Sequence, residues 1–171
     1  ILICDLVGFT AFCEENDPEY VVQTLQDLVE KFEAAFRQFG LEKIKTVGDA
    51  IVAVCGVSGY TPNAVKSCVA CSFELRALTN AASPAFNVHI GIHIGSLVTG
   101  TVGKSTIQFD ILGRDVNVAF NISDLTASNQ ILLSSDAWMT VRNEVSVKSI
   151  GLQRLKGGQD LELLECIGLE H

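Results

Sequence analysis

Cationic side chains are scarce in this sequence: 12 Lys and Arg stand against 20 Asp and Glu, a formal net charge of −8 over 171 residues. Binding a nucleic-acid polymer through counterion release needs a basic patch that this balance does not supply, so that class of partner is excluded. A polyanionic small molecule is not excluded, because metal ions held by acidic residues can mediate the contact. Long apolar runs are also lacking, and the longest, such as Ile51–Cys55, fall far short of a membrane span. Charged residues of either sign make up only 19% of the chain while hydrophobic ones reach 48%, which rules out a disordered segment. The length suits one globular domain whose core needs no staples.

Regular cysteine spacing is missing as well. Cys4, Cys13, Cys55, Cys68, Cys71 and Cys166 mostly lie within apolar stretches, and Cys68-x-x-Cys71 has no second pair downstream. Zinc and disulfide readings give way to reduced thiols packed in a core. No charged leader precedes Ile1–Cys4, which already read as strand. The expectation is a segment of a longer cytoplasmic protein, free or attached to a membrane, with a sensor or regulatory region upstream. Leu169-Glu170-His171 resembles the stub of a purification tag, so the domain is taken as residues 1–168.

What is present is strongly periodic. An apolar strand ending at Asp5 leads through a small loop into a helix, and Asp17-Pro18 opens a long amphipathic helix that Gly40 ends. Lys43–Val47 and Ala50–Cys55 flank Gly48-Asp49, the composition of a tight hairpin. A helix is expected from about Ala64 to Leu78, then an alternating strand from Phe86 to Ile94. Strands at Leu97–Thr99 and Ile107–Leu112, a helix over Val116–Leu125, and strands at Gln130–Leu133, Val145–Ser149 and Leu161–Ile167 complete the pattern. This predicts an α+β fold: a ferredoxin-like βαββαβ sandwich, its largely antiparallel sheet covered by helices on one side and extended by C-terminal strands. His89 and His93 share one strand face with Gly91 and Gly95, and read as satisfied structural histidines under a closely packed element. Asn121-Ile122-Ser123 fits a glycosylation sequon that carries no meaning in a cytosolic protein.

Two carboxylates stand out. Asp5 ends a hydrophobic strand and is followed by a loop whose N–H groups at a helix start can hold phosphate. Asp49 sits at a hairpin tip, where together with Asp5 it could grip two divalent metals over a triphosphate. Turn chemistry explains Asp49 equally well, and helix capping explains Asp5, so spacing leaves both readings open.

Five blocks in order extend the argument: Asp5-Leu6-Val7-Gly8-Phe9-Thr10; Ile44-Lys45-Thr46-Val47-Gly48-Asp49-Ala50; Gly91-Ile92-His93-Ile94-Gly95; Phe109-Asp110-Ile111-Leu112-Gly113-Arg114-Asp115-Val116-Asn117-Val118-Ala119; and Leu155-Lys156-Gly157. Together they make the chain resemble the class III adenylate and guanylate cyclases over nearly its whole length. The resemblance implies two Mg²⁺ or Mn²⁺ ions held by Asp5, Asp49 and the Leu6 carbonyl, with phosphates cradled by Gly8, Phe9, Thr10 and Lys156. It implies Asn117 as the residue orienting the ribose and an active site completed across a dimer, a homodimer or a pair with a related cyclase domain. Lys45 and Asp110 fall at the purine-selecting positions, where a lysine donating to adenine N1 and an aspartate accepting from its amine favour ATP over GTP. The expected activity is an adenylate cyclase releasing pyrophosphate. One departure is Asn121, which stands where the family carries a transition-state arginine. The alternatives are therefore a catalytically weak nucleotide-binding or regulatory domain, and a guanylate cyclase, which Lys45 disfavours. Arg114, or an arginine from outside this segment, is the candidate replacement.

Overall fold

The computed structural model describes residues 1–170. The chain runs β1 (Leu2–Leu6), α1 (Phe9–Glu15), α2 (Pro18–Phe39), β2 (Glu42–Val47), β3 (Ala50–Val54), α3 (Ala64–Asn80), β4 (Val88–Ile92), β5 (Val98–Val102), β6 (Gln108–Leu112), α4 (Arg114–Asp124), β7 (Gln130–Ser134), α5 (Ser135–Met139), β8 (Val145–Arg154) and β9 (Asp160–Leu169). Seven strands form one sheet in the order β2-β3-β1-β4-β7-β9-β8, and β5 with β6 makes a separate two-stranded arm. All neighbours in the large sheet are antiparallel except β4 and β7, which run parallel across the α4 crossover.

Alternation along β1 decides what lies on each side. Leu2, Cys4 and Leu6 pack under α2 and α3 with Phe32, Phe36 and Leu75, while Ile3 faces Val116 and Ala119 of α4. Helices thus cover both faces, not the single face predicted: α4 lies opposite α2 and α3. Periodicity shows that a helix has an apolar stripe, and carries no information about which face of a sheet receives it.

Local chemistry accounts for the long helix. Pro18 occupies its first turn, Thr24, Leu28, Phe32, Ala35 and Phe36 form the buried stripe, and Gly40 closes it at φ 73° with its N–H on the Arg37 and Phe36 carbonyls. Asp17 stands at the N-cap position, where its carbonyl accepts the Val21 N–H at 3.0 Å and its side chain makes no capping bond. Other boundaries shift as well. β4 ends at Ile92, β5 runs on to Val102, β8 reaches Arg154, and the short α5 has no counterpart in the sequence pattern. β9 takes in Leu169, which pairs with Val145, and Glu170 donates its N–H to the Glu144 carbonyl, so two residues set aside as a tag stub lie against the sheet.

Gly91 is where α4 comes closest to the sheet. A Cβ there would stand 2.5 Å from the Ser123 nitrogen and 2.9 Å from the Ala119 carbonyl oxygen, both backbone atoms with no rotamer to yield. Gly91→Ala therefore lifts α4 and costs about 1–3 kcal/mol, read as a fall in Tm of roughly 2–12 °C by thermal melting.

Candidate active site

The register Cys4↔Ile51 between β1 and β3 brings the β2–β3 turn to the C-terminal end of β1. Gly48 at φ 63° makes that turn possible, and Asp49 follows it. The two carboxylates meet. Burial first, and the negative charge of Asp49 second, push the Asp5 carboxyl above the usual carboxylate range, and a hydrogen bond to the Asp49 side chain adds to the rise. His89 and the N–H of Leu6 pull the other way. His89 faces Asp5 directly across the β1–β4 ladder, a neighbour that only sheet register reveals. Hard oxygen donors held together against their own repulsion suit a divalent cation such as Mg²⁺ or Mn²⁺. No group of three or more His, Cys, Asp and Glu side chains is placed to hold a metal ion by itself among the described residues. The remaining donors would come from the Leu6 carbonyl, water and substrate.

The loop beyond β1 is held by the Val7 N–H on the Asn87 carbonyl at 2.9 Å and by the buried Phe9 ring against Phe12 and Phe86. Gly8, at φ 77°, opens α1 and leaves itself and Thr10 exposed beside the carboxylates' end of the strand. The first N–H groups of α1 have no partner within the helix.

Lys45 and Asp110 also meet. A register shift between Lys43 and Lys45 re-aims β2, and the Lys45 ammonium lies 2.8 Å from each oxygen of Asp110 on β6. The ammonium's hydrogen bond, with a smaller contribution from the Ile111 N–H at 2.8 Å, holds the Asp110 carboxyl below its ordinary range. Asp110 is therefore an acceptor only, at neutral pH.

On α4, Asn117, Asn121 and Asp124 lie outside the buried stripe of the helix. Asn121 stands between two cavities. One, of about 340 Å³, is lined by Asp5, His89, Asn121, Asp124, Arg154 and Lys156 with Leu125. The other, of about 250 Å³, is bounded by Arg114, Asn117, Asn121, Lys156 and Gln159 among others. Lys156 pairs with Asp124, and Arg114 donates to Gln159 at 2.7 Å. The structure thus brings Asp5, Asn121 and Lys156 to one cavity and Asn117 to its neighbour, while Lys45 and Asp110 line neither.

A sequence profile describing the adenylate and guanylate cyclase catalytic domain matches residues 1–165. The chain belongs to this family. It is 28% identical to the receptor-type guanylate cyclase gcy-23 of Caenorhabditis elegans over 80% of its length, and 29% identical to the aggregation-specific adenylate cyclase of Dictyostelium discoideum over 95%. It spans only 13% and 12% of those proteins. The guanylate cyclase domain of RhGC from Catenaria anguillulae, solved with GTP, superimposes with a TM-score of 0.95 at 18% identity, covering 99% of this chain and 95% of that one. Adenylate and guanylate cyclases both appear among its relatives.

Within this cyclase domain the segment after β4 is clasped rather than free. His93 Nδ1 lies 2.8 Å from the Ser134 hydroxyl, its Nε2 lies 3.6 Å from Asp115, and Asp115 accepts the Ser96 N–H at 2.6 Å. Burial lowers the His93 pKa despite the nearby Asp115 charge, so the folded state favours the neutral ring. A folded pKa below the unfolded one gives stability that is complete above about pH 6.5 and is lost as pH falls through the folded value. His93→Gln should flatten the decline of Tm between about pH 7 and pH 5, measured as paired melts. The histidine expectation thus holds for His93. Four cysteines, Cys4, Cys68, Cys71 and Cys166, are buried. Burial raises the thiols of Cys68 to about 11 and of Cys71 to about 12, as inert packing thiols require. Among the described residues, no helix is long and apolar enough to cross a membrane.

Proposed function

We propose that this domain converts ATP to 3′,5′-cyclic AMP and pyrophosphate. The observation that carries the reading is the meeting of Asp5 and Asp49, a carboxylate pair whose arrangement makes sense when cations sit on it. Two Mg²⁺ or Mn²⁺ ions held by Asp5, Asp49 and the Leu6 carbonyl would supply Lewis-acid activation of the ribose 3′-hydroxyl and charge neutralisation at the phosphates. The chain's own residues do the rest. The N–H groups at Gly8, Phe9 and Thr10 receive phosphate oxygens, Lys156 exchanges Asp124 for the terminal phosphates, and Asn117 orients the ribose for in-line attack on the α-phosphorus.

Purine choice rests on the Lys45–Asp110 pair. Asp110 stays ionised, so it accepts from the exocyclic amine of adenine and repels the O6 acceptor of guanine. Lys45 keeps donors to spare for adenine N1 while holding Asp110 in place. Lys45→Glu should lower kcat/KM for ATP about 10²-fold or more and raise the GTP-to-ATP ratio, measured in parallel assays with each nucleotide.

The β5–β6 arm supports assembly with a second copy. Every residue of β5 is exposed, and Val98, Val102 and Leu112, which the register puts on one face of the arm, each leave more than half of their surface uncovered by the described residues of their own chain. A homodimer burying these arms would bring the carboxylates of one protomer to the base-reading pair of the other. An upstream sensor region acting through dimer geometry, residues 1–168 as its catalytic domain, and a cytoplasmic setting complete the reading.

Purified protein given ATP with Mn²⁺ should yield cyclic AMP at a rate rising faster than linearly with protein concentration, and should form cyclic GMP more slowly when given GTP. No cyclic nucleotide at concentrations where the dimer forms defeats the proposal, and GTP outcompeting ATP defeats the choice of purine. Asn121 favours a second reading, a nucleotide-binding partner that turns over poorly, because an amide cannot stabilise developing phosphate charge as a guanidinium does.

A further inference from the structure

The tip of the β8–β9 hairpin carries two cations toward the Asp5 cavity. Arg154 ends β8 and Lys156 lies in the turn beyond it, on either side of Leu155, which is buried in the cluster of Val118 and Ile122. Both line the cavity of about 340 Å³ that Asp5 and Asn121 also line. Backbone hydrogen bonds close the hairpin: the Leu155 N–H reaches the Gln159 carbonyl at 2.8 Å and the Gly158 N–H returns to the Leu155 carbonyl at 3.0 Å. Arg154 pairs with Asp160, one nitrogen 3.1 Å from both carboxylate oxygens, and its side chain is 69% exposed. An exposed pair of this kind contributes little and exchanges readily for a more highly charged anion. Between Asp115 and Asp124, α4 offers no cation to the same cavity.

We propose that Arg154 is a substrate-contacting residue that leaves Asp160 to bind the phosphate chain beside Lys156, supplying the guanidinium that α4 lacks. The assignment rests on the nucleotide-cyclase reading for its substrate and on the cavity geometry for its location. A planar guanidinium can hold two phosphate oxygens at once, where Lys156 offers a point charge.

The test compares Arg154→Ala, Arg154→Gln and Arg154→Lys with Asp160→Ala in the full chain. Turnover of ATP with Mn²⁺ is split into kcat and KM, and binding of Mn²⁺-loaded inorganic pyrophosphate is measured by calorimetry. Arg154→Ala and Arg154→Gln should each lose roughly 10–100-fold in kcat/KM and in pyrophosphate affinity, Arg154→Lys should fall between, and Asp160→Ala should hold or gain activity. A merely structural ion pair would make Arg154→Ala and Asp160→Ala decline alike, and that result overturns the proposal, as does a change within twofold for Arg154→Ala. If the parent protein forms no cyclic nucleotide yet binds pyrophosphate through Arg154, the phosphate site stands and the cyclase reading falls. Binding that ignores Arg154, or no binding at all, overturns the site itself.

Discussion

Asp49→Asn should reduce cyclic nucleotide formation by about 10³-fold or more, because losing one oxygen ligand of a metal pair forfeits several kcal/mol of charge stabilisation at the phosphates. The same substitution should leave the metal-free protein melting no lower than its parent. Asp5 is pushed up by burial and then by the Asp49 charge beside it, so a neutral amide relieves repulsion that the metal-free fold must otherwise tolerate. The turn survives, since Gly48 and not Asp49 holds the positive φ. Added Mn²⁺ should raise the Tm of the parent and barely move that of Asp49→Asn. Product assays and melts with and without Mn²⁺ check all three statements. A variant that keeps a tenth of the parent rate would show that the carboxylate pair is not the reaction centre.

Asn121→Arg should raise turnover, most steeply where Arg154 has been removed. Position 121 stands between the two cavities, with room on the larger side for a guanidinium approaching Asp5 and Lys156. Arginines that stabilise phosphoryl-transfer transition states contribute about 10³-fold or more. If Arg154 already supplies part of that charge, the gain in the parent is smaller than the gain in Arg154→Ala, and the two substitutions are non-additive. The four proteins of this cycle, assayed for kcat with Mn²⁺ and ATP, give the coupling directly. No gain in either background would show that turnover is not limited by charge at this position.

Much of the fold was legible because it is local. The stripe from Leu28 to Phe36, Pro18 and Gly40 at the ends of α2, and Gly48-Asp49 between two apolar runs each place an element within a few residues of where it lies. The boundaries of β4, β5 and β8 were less legible, because strands end where pairing partners end. No local spacing marks the β8–β9 tip as part of the site either. That Arg154 and Lys156 share a cavity with Asp5 depends on the sheet order, in which β4, β7 and β9 stand between β1 and β8.

Sequence alone determined the family and the order of every element except α5, and it named the candidate groups for the chemistry, since motif spacing and periodicity are properties of neighbouring residues. Tertiary structure decided the rest: that Asp49 comes up against Asp5, that His89 faces Asp5, that Lys45 grips Asp110, and that α4 lies on the face opposite α2 and α3. The reason is that strand register and face are chosen by the burial of whole apolar surfaces across the sheet, a sum over distant contacts that no short stretch of chain encodes.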